Sequence, residues 1–184
     1  DHRDLHSFPT RRSSDLFIRN TVGSMEFGGC FLNKRLNRNN DGGTTRRTTD
    51  VFQLATTVLF QNPVQNFALA PNNLNDVPAV CMDFMKQGPA TWDETRFVDG
   101  YPGKYVVLAR RHGDIWYLAA VNAGKEPLKL KLDLEMFAGK TVALYKDDKK
   151  GEPQLTSLKV KENGKVQLEI RSQEIGRASC RERV

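Results

Sequence analysis

The run Leu128-Lys129-Leu130-Lys131-Leu132-Asp133-Leu134 alternates apolar with charged residues without a break. Successive side chains of a strand point to opposite faces, so this run puts its leucines on one face and Lys129, Lys131 and Asp133 on the other. One dry face and one wet face describe a strand of an antiparallel sheet that is packed on one side only. The same period of two governs residues 105–109, 115–121, 141–145 and 166–170. Asn163-Gly164, lying between 158–160 and 166–170, predicts a hairpin, because a type I′ turn needs positive φ at both central residues.

Moving upstream, the period changes near Pro89. Val51, Leu54, Ala55, Val58 and Leu59 recur at helical spacing, behind Thr48, Thr49 or Asp50 as a cap and ahead of Asn62-Pro63 as a stop. Val77, Val80, Cys81, Phe84 and Met85 repeat that spacing, with Asp76 near the start and Gly88-Pro89 beyond the end. Residues 67–70, between Pro63 and Pro71, read as a short strand buried on both faces of a parallel sheet. Residues 17–31 read as the end of a strand followed by a glycine loop at Gly28-Gly29, and 32–49 as a long polar surface loop.

The expected fold class is therefore α+β: a partial (β/α) barrel remnant over 17–88, then an antiparallel β-sandwich domain of five to seven strands over 89–173. Two helices and two strands cannot close a barrel, which takes eight βα units and roughly 250 residues. The helices are accordingly expected to carry uncovered apolar stripes.

Composition narrows the function classes. The chain has 184 residues, 39% hydrophobic and 27% charged, with a net charge of +6. No apolar run approaches the roughly 18 residues of a spanning helix, so no membrane partner is expected. The excess charge is spread along the sequence, and many lysines alternate with leucines, which describes a solvated sheet face rather than a nucleic-acid surface. Cys30, Cys81 and Cys180 stand far apart with no CxxC pair, so they suggest neither a zinc site nor a disulfide framework. Residues 1–16 and 174–184 have no structural period and resemble translated sequencing adapter; both are read as non-native tails. Between them a single histidine, His112, sits in the turn-like Arg111-His112-Gly113-Asp114 and reads as a hairpin residue.

Asn37, Asn39, Asp41 and Gly42 imitate the start of a calcium loop. Thr48 stands where the bidentate Glu belongs, however, and Arg38, Arg46 and Arg47 repel a cation, so no metal site is read there. Met82 and Met85 accompany an apolar helical stripe and read as core. Asp93 and Glu94 are adjacent, so on an extended segment they face opposite ways and form no catalytic pair.

Phe17-Ile18-Arg19-Asn20-Thr21-Val22-Gly23-Ser24-Met25-Glu26-Phe27 resembles the late-barrel segment of glycoside hydrolase family 97. The likeness continues in order through Thr44-Thr45-Arg46-Arg47-Thr48-Thr49, Gln53-Leu54-Ala55, Gln61-Asn62-Pro63-Val64-Gln65 and Ala70-Pro71-Asn72-Asn73. Thr91-Trp92-Asp93-Glu94-Thr95-Arg96, Gly103-Lys104-Tyr105-Val106 and Ala109-Arg110-Arg111 are similar to that family's passage into its C-terminal β domain. Met25-Glu26-Phe27-Gly28-Gly29 departs from it by lacking the Tyr and Pro usual after the methionine.

The resemblance implies a C-terminal fragment of an α-glycosidase, of α-glucosidase or α-galactosidase type, whose N-terminal domain and upstream barrel are missing. It implies an oligosaccharide substrate, calcium in the full-length enzyme with none bound by this fragment, and a periplasmic location. The two carboxyl groups that glycoside hydrolysis needs fall by resemblance before Phe17, so no catalytic residue is assigned and the fragment alone is expected to be inactive. Arg19, Glu26 and Trp92 are the candidates for sugar contact: Arg19 and Glu26 from the barrel face where active sites gather, Trp92 from the domain junction. The alternative is a non-catalytic module in which Trp92, Trp116 and Tyr101 stack on sugar rings or the lysines meet a polyanion.

Overall fold

The computed structural model describes residues 23–24, 27–30, 32, 46, 48–60, 62–69, 71–171 and 179–182. Strand β1 (Phe27–Cys30) is followed by helix α1 (Asp50–Leu59) and strand β2 (Gln65–Phe67), a short 3-10 helix (Pro71–Asp76) and helix α2 (Ala79–Gln87). Then come β3 (Glu94–Tyr101), β4 (Tyr105–His112), β5 (Ile115–Asn122), β6 (Leu128–Asp133), a 3-10 turn (Glu135–Phe137), β7 (Thr141–Asp147), β8 (Pro153–Lys159), β9 (Lys165–Ile170) and β10 (Ser179–Glu182).

Three layers result. The middle one is a six-stranded antiparallel sheet in the order β3-β4-β5-β10-β7-β8. One face carries α1 and α2; the other is covered by the antiparallel pair β6-β9. Alternation sorts the residues. Val106 and Leu108 of β4 with Tyr117, Ala119 and Val121 of β5 join the helix-side core. Val107 and Ala109 with Leu118 and Ala120 join the opposite core, with Leu130, Leu132, Leu168 and Ile170. The chain is thus the expected α+β assembly, with an antiparallel β-sandwich as its larger part.

The strand β6 follows its sequence pattern: Leu130 and Leu132 are buried, while Lys129, Lys131 and Asp133 are exposed. Its outer face pairs Lys129 with Glu169 and Asp133 with Lys165 across the two strands, so those two lysines stand opposite carboxylates, while Lys131 faces Gln167. Between β4 and β5 the chain reverses at Gly113, whose φ of +57° is open to glycine at little cost.

Helix α1 starts at Thr49, whose hydroxyl accepts from Phe52 N at 3.3 Å. Its interior threonines bend their hydroxyls back onto carbonyls, Thr56 to Gln53 O and Thr57 to Leu54 O, each at 2.7 Å. Polar side chains satisfied in this way can be buried at small cost. All of Val51 to Leu59 is buried, so the uncovered stripe expected on this helix is absent. The exposed large apolar residues near this layer are instead Val64, Phe67, Leu74 and Phe97.

Several boundaries differ from expectation. Gly28 and Gly29 lie within β1 and not in a loop, because β1 pairs in parallel with β2, with Phe27 opposite Gln65 and Cys30 opposite Phe67. The strand expected over 67–70 runs over Gln65–Phe67 and is largely exposed, since β1 is its only partner among the described residues. With α1 between them, β1 and β2 form a parallel βαβ unit. The segment read as a domain passage contains β3, which hides its period behind polar residues and an irregularity between Phe97 and Asp99. Asn163-Gly164 does form a turn, with Gly164 at φ +71°. It joins strands of different sheets, though: β8 pairs with β7 and β9 with β6, so no hairpin forms there. Ser179–Glu182, from the tail read as non-native, pairs between β5 and β7.

Candidate functional site: the helix-sheet junction

The helix-facing row of β4 runs Val106, Leu108, Arg110, and the third member is a cation in an otherwise apolar layer. Arg110 is 2% exposed. Its Nη1 donates to the carbonyl of Phe60 at 3.1 Å, and its guanidinium lies 5.7 Å from the centroid of the Trp92 ring. Trp92 in turn meets Tyr117 edge to face at 5.3 Å. Burial pulls the Arg110 guanidinium down from its ordinary value to about 10. The Nε of Arg110 and the Nε1 of Trp92 are buried without a hydrogen-bond partner.

Phe60 is the residue through which α1 ends, so Arg110 sits at the negative end of the helix dipole, where a cation is favoured. Asp147, the last residue of β7 and 4% exposed, stands at the other end. Its Oδ2 accepts from the Thr49 hydroxyl at 2.8 Å, and that hydroxyl accepts from Phe52 N. Arg46 and Asp50 form an ion pair over the first turn, and Gln53 Nε2 donates to Thr48 Oγ1 at 2.7 Å. Dimensions agree with this seating: ten helical residues span about 15 Å, and three strand spacings from β4 to β7 span about 14 Å. The helix lies across the sheet with an acid at its positive end and a base at its negative end.

Of the residues chosen from sequence for sugar contact, Arg19 and Glu26 lie outside the described residues. Trp92 is half-buried between Arg110 and Tyr117 in the helix-side core. Trp116 packs into the opposite core, with the guanidiniums of Arg96 and Arg111 at 4.9 and 6.0 Å from its ring. The two tryptophans therefore stand on opposite faces of the sheet and build no common platform. Tyr101 has Lys104 Nζ 4.7 Å from its ring centroid.

Asp93 and Glu94 are both drawn to Arg111, at 3.9 and 3.3 Å, in a solvent-accessible cluster. The hydrogen bond from Arg96, and then that from Arg111, hold the Glu94 carboxyl below its ordinary value. His112 is an exposed turn residue whose Nδ1 lies 3.0 Å from Thr91 O. Cys81 is a buried cysteine of the helix-side core, and Met82 and Met85 pack against that core. The loop with Asn37, Asn39 and Asp41 lies outside the described residues. Among the described residues no three His, Cys, Asp or Glu gather as metal ligands.

Arg110 and Asp147 were not singled out in the sequence. A signal existed for the first: in Ala109-Arg110-Arg111 two adjacent arginines on a strand must face opposite ways, so one of them enters a layer. Which one depends on the phase of β4 against its neighbours.

The larger part of the chain is thus an antiparallel sandwich that carries its charged side chains as helix clamps and surface pairs. Residues 91–177 match the family model described as the C-terminal, oligomerisation domain of glycosyl hydrolase 97. The β domain is therefore similar to the C-terminal domain of glycoside hydrolase family 97. A crystal structure of a β-arabinopyranosidase is 84% identical with a TM-score of 0.89, covering 95% of this chain and 28% of that one. A probable retaining α-galactosidase from Streptomyces bingchenggensis is 36% identical over 110 residues, 59% of this chain and 16% of that protein. A retaining α-galactosidase from Bacteroides thetaiotaomicron is 37% identical over 70 residues, 38% and 10% of the two chains. A family 97 enzyme from Pseudoalteromonas sp., 24% identical, shares the fold with a TM-score of 0.74 over 94% of this chain and 28% of its own. The chain thus spans under a third of each of these proteins.

Proposed function

We propose that this chain is the C-terminal part of a retaining exo-glycosidase acting on α-galactosides or β-L-arabinopyranosides, and that its β domain supports a catalytic barrel without entering the chemistry. The observation that carries the reading is the 84% identity to a β-arabinopyranosidase over nearly the whole chain. The α-galactosidase names of the curated relatives fit the same pocket chemistry. A β-L-arabinopyranose ring has the configuration of α-D-galactopyranose and lacks only the exocyclic hydroxymethyl group. A site built around the ring hydroxyls would accept both and discriminate at that one substituent by about 1–3 kcal/mol. An α-glucoside differs at a ring hydroxyl, whose misplacement leaves buried polar partners unpaired and costs more.

Retention requires two carboxyl groups about 5 Å apart, one attacking and one donating a proton to the leaving oxygen. We place both outside the described residues, so the chain by itself is expected to be inert. Calcium dependence of the whole enzyme and a periplasmic location rest on the family resemblance alone.

The test compares the 184-residue chain with the whole enzyme on aryl α-galactoside, β-L-arabinopyranoside and α-glucoside. Turnover by the whole enzyme of the first two with retained anomeric configuration by proton NMR, and none by the chain, is the expected result. Turnover by the chain, or inversion by the enzyme, overturns the reading.

A further inference from the structure

The charged residues of the junction belong to the β domain, yet what they hold is the connection into the parallel strand pair. From the Phe60 carbonyl, anchored by Arg110 Nη1 at 3.1 Å, the chain leaves α1 in extended conformation. Asn62 then turns it, its Oδ1 accepting from Val64 N at 2.9 Å. Gln65, the first residue of β2, ties the strand back to the helix by donating from Nε2 to Thr57 O at 2.8 Å. These links, with a longer one from Gln65 Nε2 to Pro89 O at 3.5 Å, tie the start of β2 to the helix end that Arg110 holds.

The geometry points to Arg110 as a positioning residue: it fixes the C-terminal end of α1 and thereby the barrel strand β2, while Asp147 fixes the other end of the same helix through Thr49. The role in catalysis rests on the function proposed above; the holding of β2 does not.

The physical case has three parts. The guanidinium of a residue only 2% exposed, with no carboxylate in ion-pair range among the described residues, is costly to keep. What offsets that cost here is the helix terminus, about half a negative charge, whose Phe60 carbonyl accepts from Arg110 Nη1 and gives the charge a directed purpose that an apolar residue could not serve. Arg110 and Asp147 also come from β4 and β7, three strands apart, so the clamp fixes the direction of the helix and not just one point on it. In a parallel barrel the reacting groups stand at the carboxyl ends of the strands, and a displacement near 1 Å costs about a hundredfold in rate.

Hydrogen exchange of the 184-residue chain tests the holding. Arg110→Met should speed exchange of the amides from Leu59 to Phe67 about tenfold or more while those of β6 and β9 stay within about twofold. Arg110→Lys, whose ammonium can still donate to Phe60 O, should recover most of the protection. If Arg110→Met unfolds the chain, Thr49→Val probes the opposite end with equal volume and should speed exchange at Phe52 and Gln53 only. Unchanged exchange near β2, or a uniform rise everywhere, would overturn the proposal. In the whole enzyme the same Arg→Met change should lower kcat about tenfold or more with KM within about threefold, and the Lys variant should restore it. Local loosening of β2 with kcat unchanged would refute the positioning role. If the unmodified enzyme turned over none of the proposed sugars, the function reading alone would fall, and the exchange experiment would still decide the clamp.

Discussion

Strands β4 and β5 are buried on both faces, β6 and β9 on one, and the two pairs show how differently a strand reads when it has one neighbour layer or two. In β4 every residue from Val106 to Arg110 is buried, and in β5 every residue from Tyr117 to Asn122. In β6 burial alternates with exposure, residue by residue. A two-sided strand must satisfy helices above and a sheet below, so nearly any polar substitution in it strands an unsolvated group. A one-sided strand leaves half its positions to water, where charge pairs are worth little either way.

Breaking the contrast outright calls for the same residue in both places. Val107→Lys, putting an ammonium in the two-sided pair, should unfold the chain, a loss of more than about 4 kcal/mol, read as a lost thermal transition. A folded Val107→Lys would mean that the second layer is not packed as described. Truncation sharpens the comparison: Leu118→Ala in β5 should cost about 3–5 kcal/mol, more than Leu168→Ala in β9, because its cavity is walled on more sides. Chemical denaturation of the two variants would compare them directly, and equal losses would contradict the idea.

The pH dependence of Arg110 comes next. Its folded value, about 10, lies below that of the unfolded chain because burial penalises the charged form. Below about pH 10 the group is charged in both states and the penalty is present in full; above it the folded chain releases the proton first. Stability of the wild type relative to Arg110→Met should therefore rise with pH above about 10. Parallel urea midpoints for the two proteins across that range would rule this out. Gly164→Ala should cost about 1–2 kcal/mol in a thermal melt, since a Cβ at φ +71° would also lie 3.0 Å from Asp133 Oδ1 and 3.1 Å from Glu135 N. Lys131→Gln on the wet face of β6 should stay within about 0.5 kcal/mol.

The one-sided parts of the molecule were legible from sequence. The Leu-Lys alternation of β6 and the stripes of α1 and α2 declare themselves, because solvent enforces the period. Two-sided parts were legible as strands but not in their assignment to a face, since Val106-Val107-Leu108-Ala109 gives no phase. Arg110 went unnoticed for that reason: its burial is a matter of register against β5. The turn at Asn163-Gly164 was visible while its partners were not, because the choice between β7 and β6 is made by strands more than ten residues away. β3 stayed hidden because its pairing with β4 is carried by the backbone, and its outward residues, Thr95, Arg96 and Phe97, look like a linker. Trp92 stood out for its size, yet only the positions of Arg110 and Tyr117 show that its ring is already engaged within the core.

Strand β10 comes last in the chain but lies in the interior of the six-stranded sheet, with Cys180 level with Leu118 on one flank and Leu144 on the other. Until it docks, β5 and β7 each present a raw flank of amides and carbonyls, and the two halves of the sheet are bridged through α1 and not by backbone pairing. Pairings that reach back about sixty positions close slowly. Newly made molecules would thus pass through an interval with a slit down the middle, and that slit is where neighbouring copies could trade strands.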